Sequence, residues 1–480
     1  MDNHDGIRSR SPVAGLPRGR LSFVEVLGQS VAAVAPSAVM VTVPVLILPA
    51  AGHATVPVFV ATTFLFLAVG YCITQFSTRM VAVSGIYSYT VKGLGAGAGV
   101  FAGWSVMIGY AGAAMASTLG AGAYLAALLN RVGVRDSPLI VALLTLAVGA
   151  VALALMIRGI KLSARISLAI EMFAVVAAAV VLTVLAVRGG STPAAASSDV
   201  HDAPGFALLL ATTAFVGFES ATTVAREAKR PFETVTRAVR WSPLALGVLY
   251  VFAAVAQSGH QVTGGNAAPI VLSLPGSDGP GSTVLSVVLE LGITASWFAC
   301  VIGSCTALSR TLFAMGREGV LPPALGKTHK RFRTPSVALL AAVPVITVVP
   351  VVYLLVVGSA RSTLIGLLAV SAHGYICAYL LVCVGAPVFL RRIGEPGRLP
   401  TIIGIGTAAA FVGIIVWAAL TIDAPVWIAT ITYAVLVAAG MAVFLIRRRI
   451  EPRLPEQVGV FDETTADQVL NDYDPWQVLR

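Results

Sequence analysis

Twelve apolar runs follow one another along this chain with only short polar connections between them. A helix needs about 20 residues to cross the roughly 30 Å hydrocarbon core of a bilayer. The runs cover 24–50, 56–78, 97–129, 138–157, 165–187, 206–226, 241–258, 283–314, 336–357, 362–390, 401–420 and 424–446. Hydrocarbon gives the backbone no hydrogen-bond partners, so a spanning segment must be a helix or part of a closed barrel. Runs of this length and apolarity choose the helix. The sequence predicts an all-α membrane protein with twelve transmembrane helices. Four runs (24–50, 97–129, 283–314 and 362–390) are longer than the bilayer is thick and must tilt, break or protrude.

Composition agrees. The 480 residues are 57% hydrophobic and 11% charged, against roughly 25% charged in soluble domains. Mean hydropathy is +0.89. The formal charge of +10 does not indicate nucleic acid, because the basic residues are scattered among the loops. Their scatter is ordered in another way. Among the 32 Lys and Arg, only Arg131, Arg135, Arg188 and Arg361 fall in one alternate set of loops, and all the rest fall in the other. Basic residues accumulate on the cytoplasmic side. Both termini are therefore expected in the cytoplasm, with the 188–205 and 259–282 loops outside. Residues 1–23 and 447–480 read as cytoplasmic tails around one domain at 24–446. No short apolar core with a cleavage site follows Arg8, Arg10, Arg18 and Arg20, so no cleaved signal peptide is expected. The five cysteines sit in apolar runs without CxxC spacing and read as small buried hydrophobes.

Two runs carry features that cost energy in lipid. The first holds Ala35-Pro36-Ser37-Ala38 at its centre, and a proline there breaks the backbone ladder. The sixth contains Ala214-Phe215-Val216-Gly217-Phe218-Glu219-Ser220. A midplane glutamate normally faces a cavity or a partner. Interrupted helices in corresponding places in two halves are the best sequence pointer to a transporter site.

Three motifs then carry a resemblance. After the second run the chain reads Ser84-Gly85-Ile86-Tyr87-Ser88-Tyr89-Thr90-Val91, with Gly93-Leu94-Gly95 following. The sixth run carries Gly217-Phe218-Glu219-Ser220 and then Glu227 to Pro231. The eighth leaves the membrane as Ser309-Arg310 through Gly316-Arg317-Glu318-Gly319-Val320-Leu321-Pro322, and Arg333-Thr334-Pro335 opens the ninth. Together, in this order, they resemble the signatures of amino acid permeases of the amino acid/polyamine/organocation (APC) superfamily. The resemblance covers residues 20 to about 450. It implies a five-plus-five inverted-repeat (LeuT-like) fold, with repeats at about 24–187 and 206–390 and helices 11 and 12 (about 401–446) peripheral. Where the family's first helix usually carries a glycine-rich element, this chain has Pro36, Ser37 and Ala38.

The resemblance implies site residues. The N–H groups of Ser37, Ala38 and Val39 are candidates for a substrate carboxylate at the positive end of a half-helix. The bland alternative is a proline kink that serves packing alone. The carbonyls of Ala214, Phe215, Val216 and Gly217 are candidates for an ammonium group, with Phe215 or Phe218 closing over it. Alternatively, both rings face lipid. Glu219 reads as a gate, a proton carrier or an ammonium partner, against a structural carboxyl bonded to helix 1 or 10. Glu171, expected some six residues into helix 5, is a candidate coupling group or a structural acid near the interface. Glu290 is a weaker candidate of the same kind. His373 reads as a satisfied structural histidine. Trp104, Met107 and Tyr110 could wall the pocket or simply pack. Gly95, Gly99 and Gly103 read as close helix packing. Arg310 and Arg317 read as latches or lipid anchors.

The expected function is secondary active transport of an amino acid or related amine, with a proton as the possible coupling ion and no cofactor or metal. Neither a GxxxxGK[ST] loop nor an HExxH motif occurs, which disfavours ATP as the fuel and a zinc hydrolase. Exchange with a counter-substrate stays open beside symport, and so does a solute sensor on the same fold.

Overall fold

A computed structural model describes residues 19–82, 84–135, 137–158, 160–188, 203–258, 280–329, 331–332, 334–420 and 424–459. The tail residues 1–18 and 460–480 and most of the 188–205 and 259–282 loops lie outside the described residues, and with them the expected cytoplasmic tails and outside loops.

Among the described residues the chain is helical, with no strand beyond a single bridge between Leu21 and Ala228. Among the described residues, nine segments are long and apolar enough to cross a membrane by length and composition. One of them, Phe23–Ser77, is 55 residues long and contains several helices.

The first run folds as two half-helices, α1 (Phe23–Val34) and α2 (Pro36–Ala51). Ala35 joins them in the left-handed conformation, with φ 53° and ψ 61°. It is the only non-glycine residue with positive φ among those described. Pro36 then occupies the first turn of α2, where its missing N–H costs nothing. At the other end of α1, Glu25 reaches back to accept from the Ser22 amide at 2.6 Å. α3 (Thr55–Ser77) returns across the membrane, and α4 (Ile86–Leu94) is a short helix leading into α5 (Ala96–Asn130). α6 (Pro138–Arg158) and α7 (Ile160–Arg188) complete the first half.

The sixth run is interrupted at Gly217, as its sequence indicates, and its second part is not an α-helix. α8 (Pro204–Thr212) stops, a turn follows, and Gly217 at φ 96° redirects the chain into a 3-10 helix over Phe218–Glu227. Positive φ is open to glycine at little cost. α9 (Pro231–Gln257) begins ten residues before the seventh apolar run, because Pro231 opens the helix in the basic loop and its first turns are polar. α10 (Pro280–Arg317), α11 (Ser336–Val357) and α12 (Ala360–Arg392) follow, then α13 (Arg398–Leu420), α14 (Ala424–Ile450) and the short α15 (Leu454–Gln457).

α5 packs along α10 and α12 at the centre of the bundle. Gly374 makes part of this possible: a Cβ there would lie 2.5 Å from the Ser105 carbonyl. The most apolar windows of α13 and α14 are only 33% and 28% buried, so these two helices sit on the outside, with apolar flanks left for lipid. The window of the α1–α3 segment is 89% buried. The elements that carry the two breaks therefore lie within the bundle. One end of the bundle gathers Arg79, Lys92, Arg230, Arg310 and Arg317 and is called the basic face below.

Candidate functional site

The two breaks pack directly on each other. The last turn of α1 is held between Gly217 and Gly303 of α10. A Cβ at Gly217 would lie 2.7 Å from the Ala33 carbonyl oxygen, and one at Gly303 would lie 2.5 Å from the Ala33 nitrogen. Ser30 Oγ donates to the Phe218 carbonyl at 2.5 Å, and Ser220 Oγ donates to the Gln29 carbonyl at 3.1 Å. Gln29 Nε2 donates to the Gly303 carbonyl at 2.9 Å. Gly217 is thus required by close contact as well as by its dihedral angle.

At the first break a carboxylate caps the half-helix. The Ser37 amide donates to Glu171 Oε1 at 2.7 Å. Ser296 Oγ of α10 donates to the same oxygen at 2.9 Å and receives the Ala38 amide at 3.2 Å. The Val39 amide bonds the Ala35 carbonyl at 3.0 Å within the helix. All three amides that the sequence assigns to a substrate carboxylate therefore have partners within the chain. Glu171 itself corrects an expectation. α7 starts at Ile160 rather than at 165, which places Glu171 about 17 Å along the helix at 1.5 Å per residue. It is 0% exposed and bonded at the break of the first run, which places this acid away from the helix end where the interface was expected. Its second oxygen, Oε2, is buried without a hydrogen-bond partner.

At the second break Glu219 collects three donors. Tyr110 of α5 donates to Oε1 at 2.8 Å, Tyr379 of α12 to Oε2 at 2.5 Å, and the Gly217 amide to Oε2 at 3.0 Å. Phe215 and Phe218 are both 0% exposed, which removes the lipid-facing alternative. Phe215 stacks on Phe66 at 5.0 Å and meets Tyr250 edge-on at 5.2 Å. Phe66 meets Tyr379 edge-on at 5.7 Å. Tyr250 lies near Glu171. A chain of rings, Tyr250–Phe215–Phe66–Tyr379, therefore runs from one buried acid to the other. The hydroxyls of Tyr250 and Tyr375 are buried without partners. Ala214 and Val216 are buried in the turn, and the Gly217 carbonyl accepts from the Ser220 amide at 2.9 Å.

The remaining candidates sort by their partners. Glu290 forms a two-point ion pair with Arg131, at 2.6 and 2.9 Å, toward the end opposite the basic face. His373 is bonded at both ring nitrogens, to the Ala369 carbonyl and to Thr430 Oγ1. Trp104 packs against Gly440 of α14 and so lies away from the breaks, whereas Tyr110 faces them. Met107 is buried within α5. Gly99 and Gly103 lie against Val91 and Tyr87 of α4. Arg310 is buried and paired with Glu227 at 2.5 and 3.0 Å, which ties α10 to the end of the 3-10 helix. Beside that pair, the Arg20 and Leu21 amides both donate to the Glu227 carbonyl at 2.8 Å, and Lys229 N donates to the Leu21 carbonyl at 2.9 Å. Sequence reasoning missed Ser296, Tyr250, Tyr375 and Tyr379. Serine and tyrosine in an apolar helix carry no signal until a partner helix is set beside them.

Comparison with known proteins fits this geometry. Residues 21–446 match the family described as Amino acid permease. A branched-chain amino acid permease of Lactococcus lactis subsp. cremoris is 36% identical over 121 residues, a quarter of each chain. An uncharacterized transporter of Mycobacterium tuberculosis is 27% identical over 352 residues, 70% of this chain and 74% of its own. A methylthioribose transporter of Bacillus subtilis is 25% identical over 307 residues, 59% of this chain and 64% of its own. The match to the Lactococcus relative thus spans a quarter of that protein's length, and the match to the Bacillus relative under two thirds. Two broken, mutually packed helices in a multi-pass bundle and a family match across nearly the whole apolar region place this chain in the amino acid permease family.

Proposed function

We propose that this protein is a secondary active transporter that carries an amino acid or related amine across the cell membrane by alternating access. One observation carries the reading: two interrupted half-helix pairs pack against each other at mid-depth, each with a fully buried carboxylate at its break. Such breaks give a solute both backbone groups and charge within the bilayer. Ser37, Ala38, Val39 and Ala214 through Gly217 line the solute path, and Phe218 and Glu219 act as its gate. Relatives named for branched-chain amino acids and for methylthioribose support small polar solutes as cargo.

The fold in this reading has twelve crossings in two inverted repeats, with the basic face in the cytoplasm. The nine apolar segments support twelve once three points are weighed. The 55-residue segment crosses twice, the apolar stretch Leu168–Val184 lies within the longer α7, and α8 with its 3-10 helix makes one crossing together. Coupling to protons is assigned to Glu171 and Glu219, which are buried beside neutral donors only. The test is uptake into proteoliposomes of a labelled amino acid and amine panel, with and without an imposed pH gradient. Glu171→Gln should abolish gradient-driven accumulation while leaving counterflow exchange largely intact. Accumulation by the mutant equal to wild type refutes the proton role of Glu171. Strict one-for-one exchange by the wild-type protein makes it an antiporter.

A further inference from the structure

The cargo of a permease with this architecture must neutralise whatever the two breaks present, and here they present two acids. Glu171 and Glu219 are each 0% exposed. Each is held by amides and hydroxyls, and neither is paired with a base. The buried bases among the described residues are committed elsewhere or lie toward the basic face. Arg310 is paired with Glu227, His373 is bonded to Ala369 and Thr430, and Arg226 sits near the far end of the 3-10 helix. At the same time, the place that suits an anion is taken. The positive end of α2 would attract a solute carboxylate, but Glu171 Oε1 already accepts the Ser37 amide, and Ser296 takes the Ala38 amide. An amino acid would have to bring its own carboxylate up to that of Glu171.

Between the acids the surroundings favour a cation. The rings of Tyr250, which lies near Glu171, of Phe215 and Phe66, and of Tyr379, which bonds Glu219, follow one another in contact. Aromatic faces attract ammonium groups, by about 2 kcal/mol or more where water is excluded. Four buried polar atoms beside this path, Ser37 Oγ, Glu171 Oε2 and the hydroxyls of Tyr250 and Tyr375, have no partner. Buried polar groups are ordinarily satisfied. Glu171 Oε2 is a carboxyl oxygen, and the hydroxyls can accept as well as donate. They suit N–H donors of a ligand.

We propose that the solute is an organic amine without a carboxylate of its own, a monoamine or a linear diamine, with the Glu171 side chain occupying the place where an amino acid's carboxylate would sit. The inference rests on the transport reading above and narrows its substrate class.

The test uses matched pairs in proteoliposomes of the full-length wild-type protein: leucine against isoamylamine, and ornithine against putrescine. Within each pair the solutes differ only by the carboxylate. The expected result is that in at least one pair the amine is taken up about tenfold better than its parent, and that in neither pair is the amino acid preferred. Amino acid uptake equal to or above that of its amine in both pairs, or preferred in either, overturns the inference and leaves the transport reading standing. Uptake of none of the four above protein-free vesicles defeats the transport reading itself, and the inference falls with it. Glu171→Ala supplies an independent arm. By freeing the Ser37 amide it should shift preference toward the amino acid of the pair. A folded variant with unchanged preference overturns the assignment of Glu171. The wild-type comparison decides the substrate class even if that variant does not fold.

Discussion

Glu219 shows how one side chain is kept in a place that ordinarily rejects it. A carboxyl at the bilayer centre costs about 2.5–3.5 kcal/mol on insertion scales. Hydrogen bonds to a charged group return about 1.5–3 kcal/mol each, and Glu219 has donors from Tyr110, Tyr379 and Gly217. Tyr379→Phe should therefore lower thermal stability in detergent by an amount in that range, and Tyr110→Phe should do the same. Doing both should cost less than the sum, because the two hydroxyls share one carboxylate. A melting temperature unchanged in both single variants refutes this account. The glutamate was legible in the sequence because a charge in an apolar run is conspicuous. Its tyrosine partners were not, because they come from helices more than a hundred residues away whose rotational setting no local pattern fixes. The same holds for Ser296 beside Glu171.

The elements divide into those with a local cause and those without. The break in the first run was readable from Pro36, and the one in the sixth from Gly217, since both residues act on their own backbone. The 3-10 form of Phe218–Glu227 and the early starts of α7 and α9 were not readable. They follow from packing against α1 and from polar first turns that hydropathy alone assigns to loops. The shift in α7 moved Glu171 from the membrane edge to the break, so an error of a few residues in a boundary became an error of role. At the basic face, the buried Arg310–Glu227 pair joins α10 to the end of the 3-10 helix. Removing one partner of a buried pair costs about 3–5 kcal/mol, whereas replacing both with apolar residues is often neutral. Arg310→Ala should thus reduce folded yield sharply. Arg310→Met combined with Glu227→Met should recover most of the loss in detergent melting curves. A double variant as unstable as the single one would show that the arginine acts through some other contact.

For the whole molecule, the sequence carried the class and the family, because apolar length and ordered motifs survive without any knowledge of tertiary contacts. The sidedness of the molecule has a direct test. Cysteines placed at Ser197 and Ser277 should react with an impermeant reagent added to sealed cells, and one at Ser9 should not. Cys377 is the only one of the five native thiols that is not fully buried, so its replacement gives a quiet background. Reaction at Ser9 in sealed cells refutes the assigned orientation. Ala35 has a further consequence at this scale. A left-handed alanine costs roughly 1–2 kcal/mol, and here that cost sits at the joint between the two halves of the first crossing. Ala35→Gly should leave the protein as stable or slightly more so, while increasing uncoupled leak through reconstituted vesicles, since the joint then has less preference among its settings. A glycine variant with wild-type leak would show that the angle between the halves is set entirely by their neighbours. With alanine in place, the joint resists bending because bending has to climb out of a narrow well, and one methyl group supplies that resistance.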